Sequence, residues 1–157
     1  MTVSAGRTVA EAVGETLAAL GVAHAYGVVG SGNFAVTNAL RAAGVGFTAA
    51  RHEGGAATMA DAHARTSGAV AVLSVHQGCG LTNAMTGIGE APKSRTPLVV
   101  LAADVAGSAV RSNFRVDQDA LVRAVGAVPE RIHAADSAVA TPSGPSASRV
   151  SSDGPWC

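Results

Sequence analysis

Aromatic residues are scarce in this chain, at 3% of its 157 residues, and charged residues make up only 14%. So few aromatic rings argue against the stacking of nucleic-acid bases on the protein. The formal net charge is zero and no basic cluster occurs, which also argues against binding to a phosphate backbone. We therefore expect no nucleic-acid partner.

Cysteines are few and long apolar runs are absent. The two cysteines, Cys79 and Cys157, are far apart and match no zinc-binding spacing, so a reduced, cytoplasmic protein is the simplest interpretation. The N-terminal segment carries Arg7 and Glu11 without a long apolar core, so no signal peptide is predicted. No apolar run approaches the roughly 20 residues of a membrane span, and we expect no membrane partner.

Hydrophobic residues, at 48%, are plentiful enough for one domain with a substantial core. Apolar runs alternate with segments of helical periodicity, which predicts βαβ units. The predicted fold is an α/β domain with a doubly wound parallel sheet and helices on both faces. Predicted helices cover residues 8–20, 34–43, 54–66, 81–91 (stopped by Pro92) and 117–125. Predicted strands cover residues 23–29, 46–50, 69–75 and 97–103, and one more is predicted within 130–133.

Four polar or glycine-rich junctions follow the predicted strands, at residues 30–32, 51–53, 76–80 and 104. Ligands of parallel sheets bind beyond these carboxyl ends. The stretch Arg51-His52-Glu53-Gly54-Gly55 is the most informative, because a carboxylate stands beside two glycines that leave space for a ligand. From spacing alone, a simpler role weighs equally, in which Glu53 stabilises the N-terminus of a helix.

A dinucleotide site is one functional interpretation. Gly30-Ser31-Gly32-Asn33-Phe34-Ala35 fits the pattern G-x-G-x-x-A between a strand and a helix, with Asn33 as a candidate helix cap. Glu53 follows about 20 residues later, where a ribose-binding acid belongs. Two features oppose this interpretation, because a helix precedes the first strand and the 76–80 loop has no role in it. A Rossmann-like NAD-binding module therefore stays an alternative.

A second interpretation uses all the junctions together, through motifs that occur in one order with plausible gaps. They are Gly27–Gly30, Arg51–Ala57 followed by Met59-Ala60-Asp61 and Ala64-Arg65, Gly78–Ala84, and Ser94–Leu101. This set resembles the N-terminal, pyrimidine-binding (Pyr) domain of thiamine-diphosphate-dependent enzymes of the acetolactate synthase type. The resemblance covers residues 5–139.

The resemblance implies that Glu53 is the catalytic carboxylate that hydrogen-bonds the aminopyrimidine ring of thiamine diphosphate. A carboxylate at the far ring nitrogen favours the imino tautomer, in which the cofactor's own amino group can accept the proton of the thiazolium carbon. A charge-assisted hydrogen bond of this kind contributes about 1.5–3 kcal/mol. The cofactor carries the carbanion chemistry, and the protein orients it.

The resemblance also implies that Gly30, Gly78, Gly80 and Asn83 bind the cofactor, the last three within the family's Gly-Pro-Gly-x-Thr-Asn turn. Glycine allows the backbone to approach a ligand closely. Asn83 has an equally weighted alternative, in which it caps or braces the next helix. Cys79 replaces the usual proline, and we predict a small structural cysteine, because a reactive thiol needs an electropositive setting.

His76 and Gln77 precede this turn and are candidates to face a substrate. For His76 the favoured interpretation is a hydrogen-bonded loop histidine. His52 is predicted to be structural, and Arg51 is predicted to pair with a neighbouring acid. The other histidines, at positions 24, 63 and 133, form no metal constellation with them.

One departure from the family pattern concerns the substrate side. Many relatives carry Phe-Gln-Glu in the segment that matches Phe114-Arg115-Val116, so Arg115 replaces a glutamine. Whether Gln118 takes the place of that glutamine is open at the level of sequence.

Full-length members of the family have a diphosphate-binding domain with a Gly-Asp-Gly motif followed by Asn, and nothing in this chain matches that motif. Diphosphate-bound Mg²⁺ needs oxygen ligands. The resemblance implies that a partner domain or subunit in a homo- or hetero-oligomer holds the magnesium, and that this chain is a truncated form supplying half of the cofactor site. The implied activity is decarboxylation or carboligation of a 2-oxoacid. The alternatives are a stand-alone small subunit of a two-chain 2-oxoacid decarboxylase and a non-catalytic interaction module.

The last segment, residues 140–157, lacks periodicity and is predicted to be disordered. Suppose that the codons of Ser143, Ser146 and Ser148 begin with T-C. A shifted reading frame, which combines the last base of the preceding codon with this T-C, then encodes only Phe, Leu, Ile or Val at these three places. We hypothesise that this tail is the frameshifted end of a longer gene. Sequencing of the DNA beyond the codon of Cys157 should reveal a diphosphate-binding domain in another frame, and its absence from every frame would contradict the hypothesis.

Overall fold

Residues 6–138 are described by the computed structural model, so the tail predicted at 140–157 lies outside the described residues. The helices are α1 (Val9–Ala19), α2 (Phe34–Ala42), α3 (Glu53–Ser67), α4 (Cys79–Ser94) and α5 (Gln118–Ala124). The strands are β1 (His24–Gly27), β2 (Gly46–Ala49), β3 (Ala71–Val75) and β4 (Leu98–Ala102). All strand pairs are parallel, and the strand order is β2-β1-β3-β4.

The central strand β3 is buried on both faces, and its side chains alternate between two apolar cores. Leu73 and Val75 pack in a core with α3 and α4, and the half-buried apolar residues of α5 lie against the same core. Val72 packs in the other core with α1 and α2. Because helices cover both faces of a parallel sheet, the predicted doubly wound α/β fold is confirmed.

Short-range sequence signals set the start of the first helix. Thr8 and Glu11 form a capping box, in which each side chain accepts a hydrogen bond from the other residue's backbone N–H. Hydrogen bonds from the backbone and hydroxyl of Thr8 lower the pKa of Glu11.

Within residues 6–138, none of the helices combines the length and apolar character that crossing a bilayer requires.

Pro92 does not stop α4, and that prediction was wrong. The helix continues through Pro92 to Ser94 and ends at Arg95, whose φ is 54°. Proline removes one N–H and crowds the carbonyl four residues earlier. In the last turn this cost is limited, because Thr96 N–H donates to the carbonyl of Ala91 at 2.8 Å and closes the end of the helix.

The strand predicted within residues 130–133 is also absent, so that prediction was wrong too. Arg131 instead forms an ion pair with Asp104, which follows β4, and a second one with Asp119 at 3.3 Å. The segment thus lies against the loops beyond the sheet edge rather than extending the hydrogen-bonded ladder.

The contact between α3 and α4 depends on small side chains. A Cβ atom added to Gly87 would lie 2.5 Å from the Cβ atom of Ala57, well inside van der Waals contact. A Cβ atom added to Gly55 of α3 would meet nothing within 4 Å. These two glycines therefore provide a matched pair for testing the packing.

We expect Gly87→Ala to lower the free energy of unfolding by about 1–3 kcal/mol, because overpacking outweighs the better helix propensity of alanine. Gly55→Ala should raise the same free energy by about 0.5 kcal/mol, because it restricts only the unfolded chain. Urea unfolding followed by circular dichroism measures both values. Equal effects of the two substitutions would contradict close packing of α3 on α4.

Candidate functional site

The loops after the carboxyl ends of the strands meet at one edge of the sheet. A Cβ atom added to Gly30, beyond β1, would lie 3.0 Å from Cδ2 of His76, beyond β3. A Cβ atom added to Gly80 would lie 3.3 Å from Oε1 of Glu53, beyond β2. The structure therefore brings together the predicted junctions at 30–32, 51–53 and 76–80.

Glu53 is the first residue of α3, and its side chain is oriented toward α4. Its Oε2 accepts a hydrogen bond from Nδ2 of Asn83 at 3.1 Å, and its Oε1 lies beside Gly80. Within residues 6–138, no cationic side chain forms an ion pair with Glu53. The half-buried carboxylate thus keeps lone pairs available for a ligand.

The cap of α3 is made by a neighbouring residue. Nδ1 of His52 accepts the hydrogen bond from the N–H of Gly54 at 3.0 Å, and its carbonyl accepts from Ala56. His52 is therefore structural, as the sequence predicted. Because His52 already caps the helix, the Glu53 side chain is not needed for capping.

Asn83 braces Glu53 rather than capping a helix. It is the fifth residue of α4, whose cap position is occupied by Gly78 without a side-chain hydrogen bond. Its amide donates to the Glu53 carboxylate, which fixes one oxygen and directs the carboxylate along the edge of the sheet. Of the two roles left open for Asn83, the capping role is not supported.

The turn between β3 and α4 passes close to its neighbours at two glycines. Gly78 has φ of 65°, and a Cβ atom there would lie 2.3 Å from the carbonyl oxygen of Phe114. A Cβ atom at Gly80 would lie 3.0 Å from Cβ of His76 as well as close to Glu53. The glycines predicted at this turn are thus required by the path of the backbone.

His76 is held by the protein at both ring nitrogens. Nδ1 lies 2.8 Å from the carbonyl oxygen of Gln77, and Nε2 lies 3.3 Å from Oγ of Ser31. The ring also meets Phe114 edge-on, with 4.8 Å between centroids. His76 is therefore a hydrogen-bonded loop histidine, as favoured from the sequence.

Oε1 of Gln77 is buried and has no hydrogen-bond partner among the described residues.

Asn33 has a different structural role from the one predicted. It precedes α2, but its side chain makes no capping hydrogen bond. The residue is fully buried, and its amide donates to the carbonyl of Val28 at 3.1 Å and to Oγ of Ser74 at 3.0 Å. Its Oδ1 accepts from the N–H of Gly30 at 2.8 Å. The signal that sequence reasoning missed is the lone serine in the apolar strand β3, because a buried hydroxyl requires a partner.

Gln118 joins the β3–α4 turn to the end of β4. Its Oε1 accepts from the N–H of Gly78 at 3.1 Å, and its Nε2 donates to the carbonyl of Ala103 at 3.0 Å. Asp104, the fourth predicted junction, directly follows Ala103 in the chain. In the structure, the side chain of Gln118 thus supports the turn.

A cavity of about 560 Å³ opens beside Gln118, lined by residues 104–107, 115–118 and Arg131. The hydrogen bond and charge of Asp104 raise the pKa of Arg131. Arg115, which replaces the family glutamine, also lines the cavity, is exposed, and forms no ion pair within residues 6–138.

Two further predictions about neighbouring residues were wrong. Arg51 is exposed and forms no ion pair within the described part of the chain, because the nearby carboxylate of Glu53 is directed toward Asn83. Cys79 is an exposed free thiol at the first position of α4, where it does not contribute to the core. Among residues 6–138, no three His, Cys, Asp or Glu side chains are arranged to hold a metal ion.

The chain belongs to the family described as thiamine pyrophosphate enzyme, N-terminal TPP binding domain, which it matches over residues 7–124. This match confirms the resemblance carried by the motifs, and it identifies a family whose cofactor is thiamine diphosphate. A dinucleotide site is not supported, because Glu53 is braced by Asn83 beside the β3–α4 turn, which has no role in a dinucleotide fold.

The curated relatives are full-length enzymes with several names. The chain is 38% identical over 102 residues to the acetolactate synthase large subunit of Buchnera aphidicola subsp. Schizaphis graminum, covering 64% of this chain and 18% of the relative. It is 40% identical over 102 residues to acetolactate synthase isozyme 3 large subunit of Escherichia coli K12, with the same coverage. It is 33% identical over 94 residues to sulfoacetaldehyde acetyltransferase of Roseovarius nubinhibens, covering 60% and 16%. The chain thus spans less than a fifth of these relatives' length.

The residues at the sheet edge fit one half of thiamine diphosphate. Glu53 carries a carboxylate, oriented by Asn83, that can accept a hydrogen bond from a ring nitrogen, and the backbone at Gly80 lies beside it. The diphosphate and its metal ion need several oxygen ligands and countercharge. The carboxylate at the sheet edge fits the aminopyrimidine end, and the described residues hold no cluster of three His, Cys, Asp or Glu side chains for a metal ion.

The buried network around Asn33 can be tested by stability. Asn33→Ala should lower the free energy of unfolding by about 2–3 kcal/mol, because the N–H of Gly30, the carbonyl of Val28 and the hydroxyl of Ser74 all lose a partner. Thr37→Val is the matched control, since it removes only the 3.1 Å contact with Ser74 and should cost about 1 kcal/mol. Urea unfolding compares them, and similar losses would contradict the network.

Proposed function

We propose that this chain supplies the pyrimidine-binding half of a thiamine diphosphate site in an acetolactate synthase-like enzyme that decarboxylates or joins 2-oxoacids. The observation that carries the proposal is the position of Glu53, whose carboxylate is braced by Asn83, lies against Gly80 and has no ion pair among the described residues. A structural glutamate at a helix start would instead accept from the helix backbone, and His52 already does so.

Each residue of the site has a role in this proposal. Glu53 accepts a hydrogen bond from the aminopyrimidine ring and holds a proton at the ring nitrogen, which favours the tautomer needed for activation. Asn83 keeps the carboxylate oriented before a ligand arrives, and such pre-orientation makes electrostatic stabilisation effective. Gly30, Gly78 and Gly80 let the cofactor approach the backbone. Thiamine diphosphate itself, when bound, supplies the carbon that stabilises a carbanion.

His76 and Gln77 are proposed to face the substrate side. His76 is already held by Ser31 and the Gln77 carbonyl, so its contribution is to shape the loop and present a polar surface. Oε1 of Gln77 is the atom in this loop with spare hydrogen-bonding capacity. We assign the substrate only to the class of 2-oxoacids, such as pyruvate.

The other half of the site is proposed to come from a diphosphate-binding domain or subunit that also holds Mg²⁺ in a homo- or hetero-oligomer. Supporting this, residues 6–138 carry no ligand set for a divalent ion, and the chain spans less than a fifth of relatives such as the Buchnera large subunit. We also propose a cytoplasmic location, on the basis of the two distant cysteines.

A stand-alone small subunit of a two-chain 2-oxoacid decarboxylase is the alternative that would use the same site in the same way. A non-catalytic interaction module would keep the fold without using Glu53. The Glu53–Asn83 hydrogen bond favours the catalytic alternatives, because a partly buried carboxylate braced by an amide serves no evident role in the packing of the domain.

Binding to the isolated chain tests the proposal. We expect the free aminopyrimidine fragment, 4-amino-5-hydroxymethyl-2-methylpyrimidine, to shift the NMR signals of Gly30, Gly80 and Asn83 at millimolar concentration. Glu53→Gln should weaken this binding by about tenfold or more, because a charge-assisted hydrogen bond is lost. By calorimetry, thiamine diphosphate with Mg²⁺ should show no micromolar binding to the isolated chain.

Glu90→Gln provides the control, since Glu90 lies near the opposite end of α4 and pairs with Lys93 on the surface. It makes the same chemical change and should leave the shifts unaltered. Identical shifts in the wild type and in Glu53→Gln would contradict the role of Glu53. Micromolar binding of the whole cofactor would contradict the half-site assignment.

A further inference from the structure

The β3–α4 turn, residues 76–80, is supported by a side chain from a distant part of the chain. We propose that Gln118 is a positioning residue of the cofactor site, which holds this turn where Gly80 meets the carboxylate of Glu53. The functional meaning of this role rests on the proposed function of Glu53. The positioning itself rests on geometry alone.

Gln118 makes two hydrogen bonds that each restrain a different element. Oε1 accepts from the backbone N–H of Gly78, and Nε2 donates to the backbone carbonyl of Ala103 just beyond β4. Both ends of the amide are used, so the side chain cannot rotate without losing both bonds. The turn is thereby tied to the sheet.

The N–H of Gly78 has no support from the rest of the turn. The N–H of Gly78 donates to no other acceptor among the described residues, and α4 begins without a side-chain cap. Gly78 also has φ of 65°, and glycine has the widest range of alternative conformations. Without the Gln118 bond, an unsatisfied donor would remain at the most flexible point of the turn.

A shift of this turn would be transmitted directly to Glu53. Gly78 begins the first turn of α4, where its carbonyl accepts from Thr82 at 2.9 Å. Two residues of α4 contact Glu53: Gly80 lies against Oε1, and Asn83 donates to Oε2. Both carboxylate oxygens are therefore positioned by the segment whose start Gln118 holds.

A neighbouring residue separates this role from the stability of α5. Asp117 caps α5, because its Oδ1 accepts from the N–H of Ala120 at 2.9 Å. Asp117→Ala should weaken the helix without removing either bond of Gln118. Asp117→Ala is therefore the control for Gln118→Met, which removes both bonds while keeping a side chain of similar length.

Amide hydrogen exchange and NMR on the full 157-residue chain test the proposal. In the wild type, the Gly78 amide should exchange more slowly than in an unstructured peptide. Gln118→Met should speed this exchange by about tenfold, the change that corresponds to one lost hydrogen bond. It should also shift the side-chain amide signals of Asn83 and weaken binding of the aminopyrimidine fragment. Asp117→Ala should leave the Gly78 exchange rate within about twofold of the wild type, because no bond to Gly78 is lost.

Three results would overturn the proposal: unprotected exchange of the wild-type Gly78 amide, unchanged Asn83 signals in Gln118→Met, or equal changes in Gln118→Met and Asp117→Ala. Even if Gln118→Met fails to fold, the exchange rate of the wild-type Gly78 amide can still overturn the proposal. If the fragment binds neither the wild type nor the variants, the proposed function fails, while the exchange and Asn83 measurements still decide whether Gln118 positions the turn.

Discussion

Close backbone approach at the β3–α4 turn is the constraint on which the candidate site depends. At Gly78 the chain passes under the carbonyl of Phe114, and at Gly80 it passes against the side chains of His76 and Glu53. A side chain at Gly78 would clash with this carbonyl, and one at Gly80 would press against His76 and Glu53. The turn can hold this path because the strand before it is buried on both faces and Gln118 ties Gly78 to the end of β4.

A second polar network supports the loop after β1, on the other side of the site from the β3–α4 turn. Ser74 brings a hydroxyl into the buried strand β3, where Asn33, just before α2, and Thr37 of α2 satisfy it. The same asparagine holds the loop at Val28 and Gly30. Because an unsatisfied polar group in a core is costly, this arrangement favours a single position of the loop. The β3–α4 turn and the loop after β1 are therefore each positioned by a side-chain amide, that of Gln118 and that of Asn33, one from each side of the sheet.

The family match and the geometry together support the proposal of a site that is shared with another domain. Membership in the thiamine pyrophosphate enzyme family is established over residues 7–124, and the described residues fit the aminopyrimidine end of the cofactor. Residues 6–138 contain no group of three His, Cys, Asp or Glu side chains that would hold the metal ion of the diphosphate end. A divided site of this kind explains how a domain with so few charged residues can take part in charge-dependent chemistry, since the metal and its countercharges belong to another domain in the proposed arrangement.

Local pattern in the sequence was enough for the alternation of strands and helices and for the glycine turn, because these depend on nearest neighbours and on burial of apolar faces. The order of motifs was enough to recognise the family and to select Glu53. Sequence reasoning failed at three places. Pro92 stays within α4, where the end of the helix is closed locally, whereas Arg131 pairs across the surface and Arg51 has no acid partner within the described residues. Only the tertiary structure decided that Asn33 is a buried bridge and that Gln118 holds Gly78, because hydrogen bonds between residues 40 or 41 positions apart leave no periodic trace in a sequence.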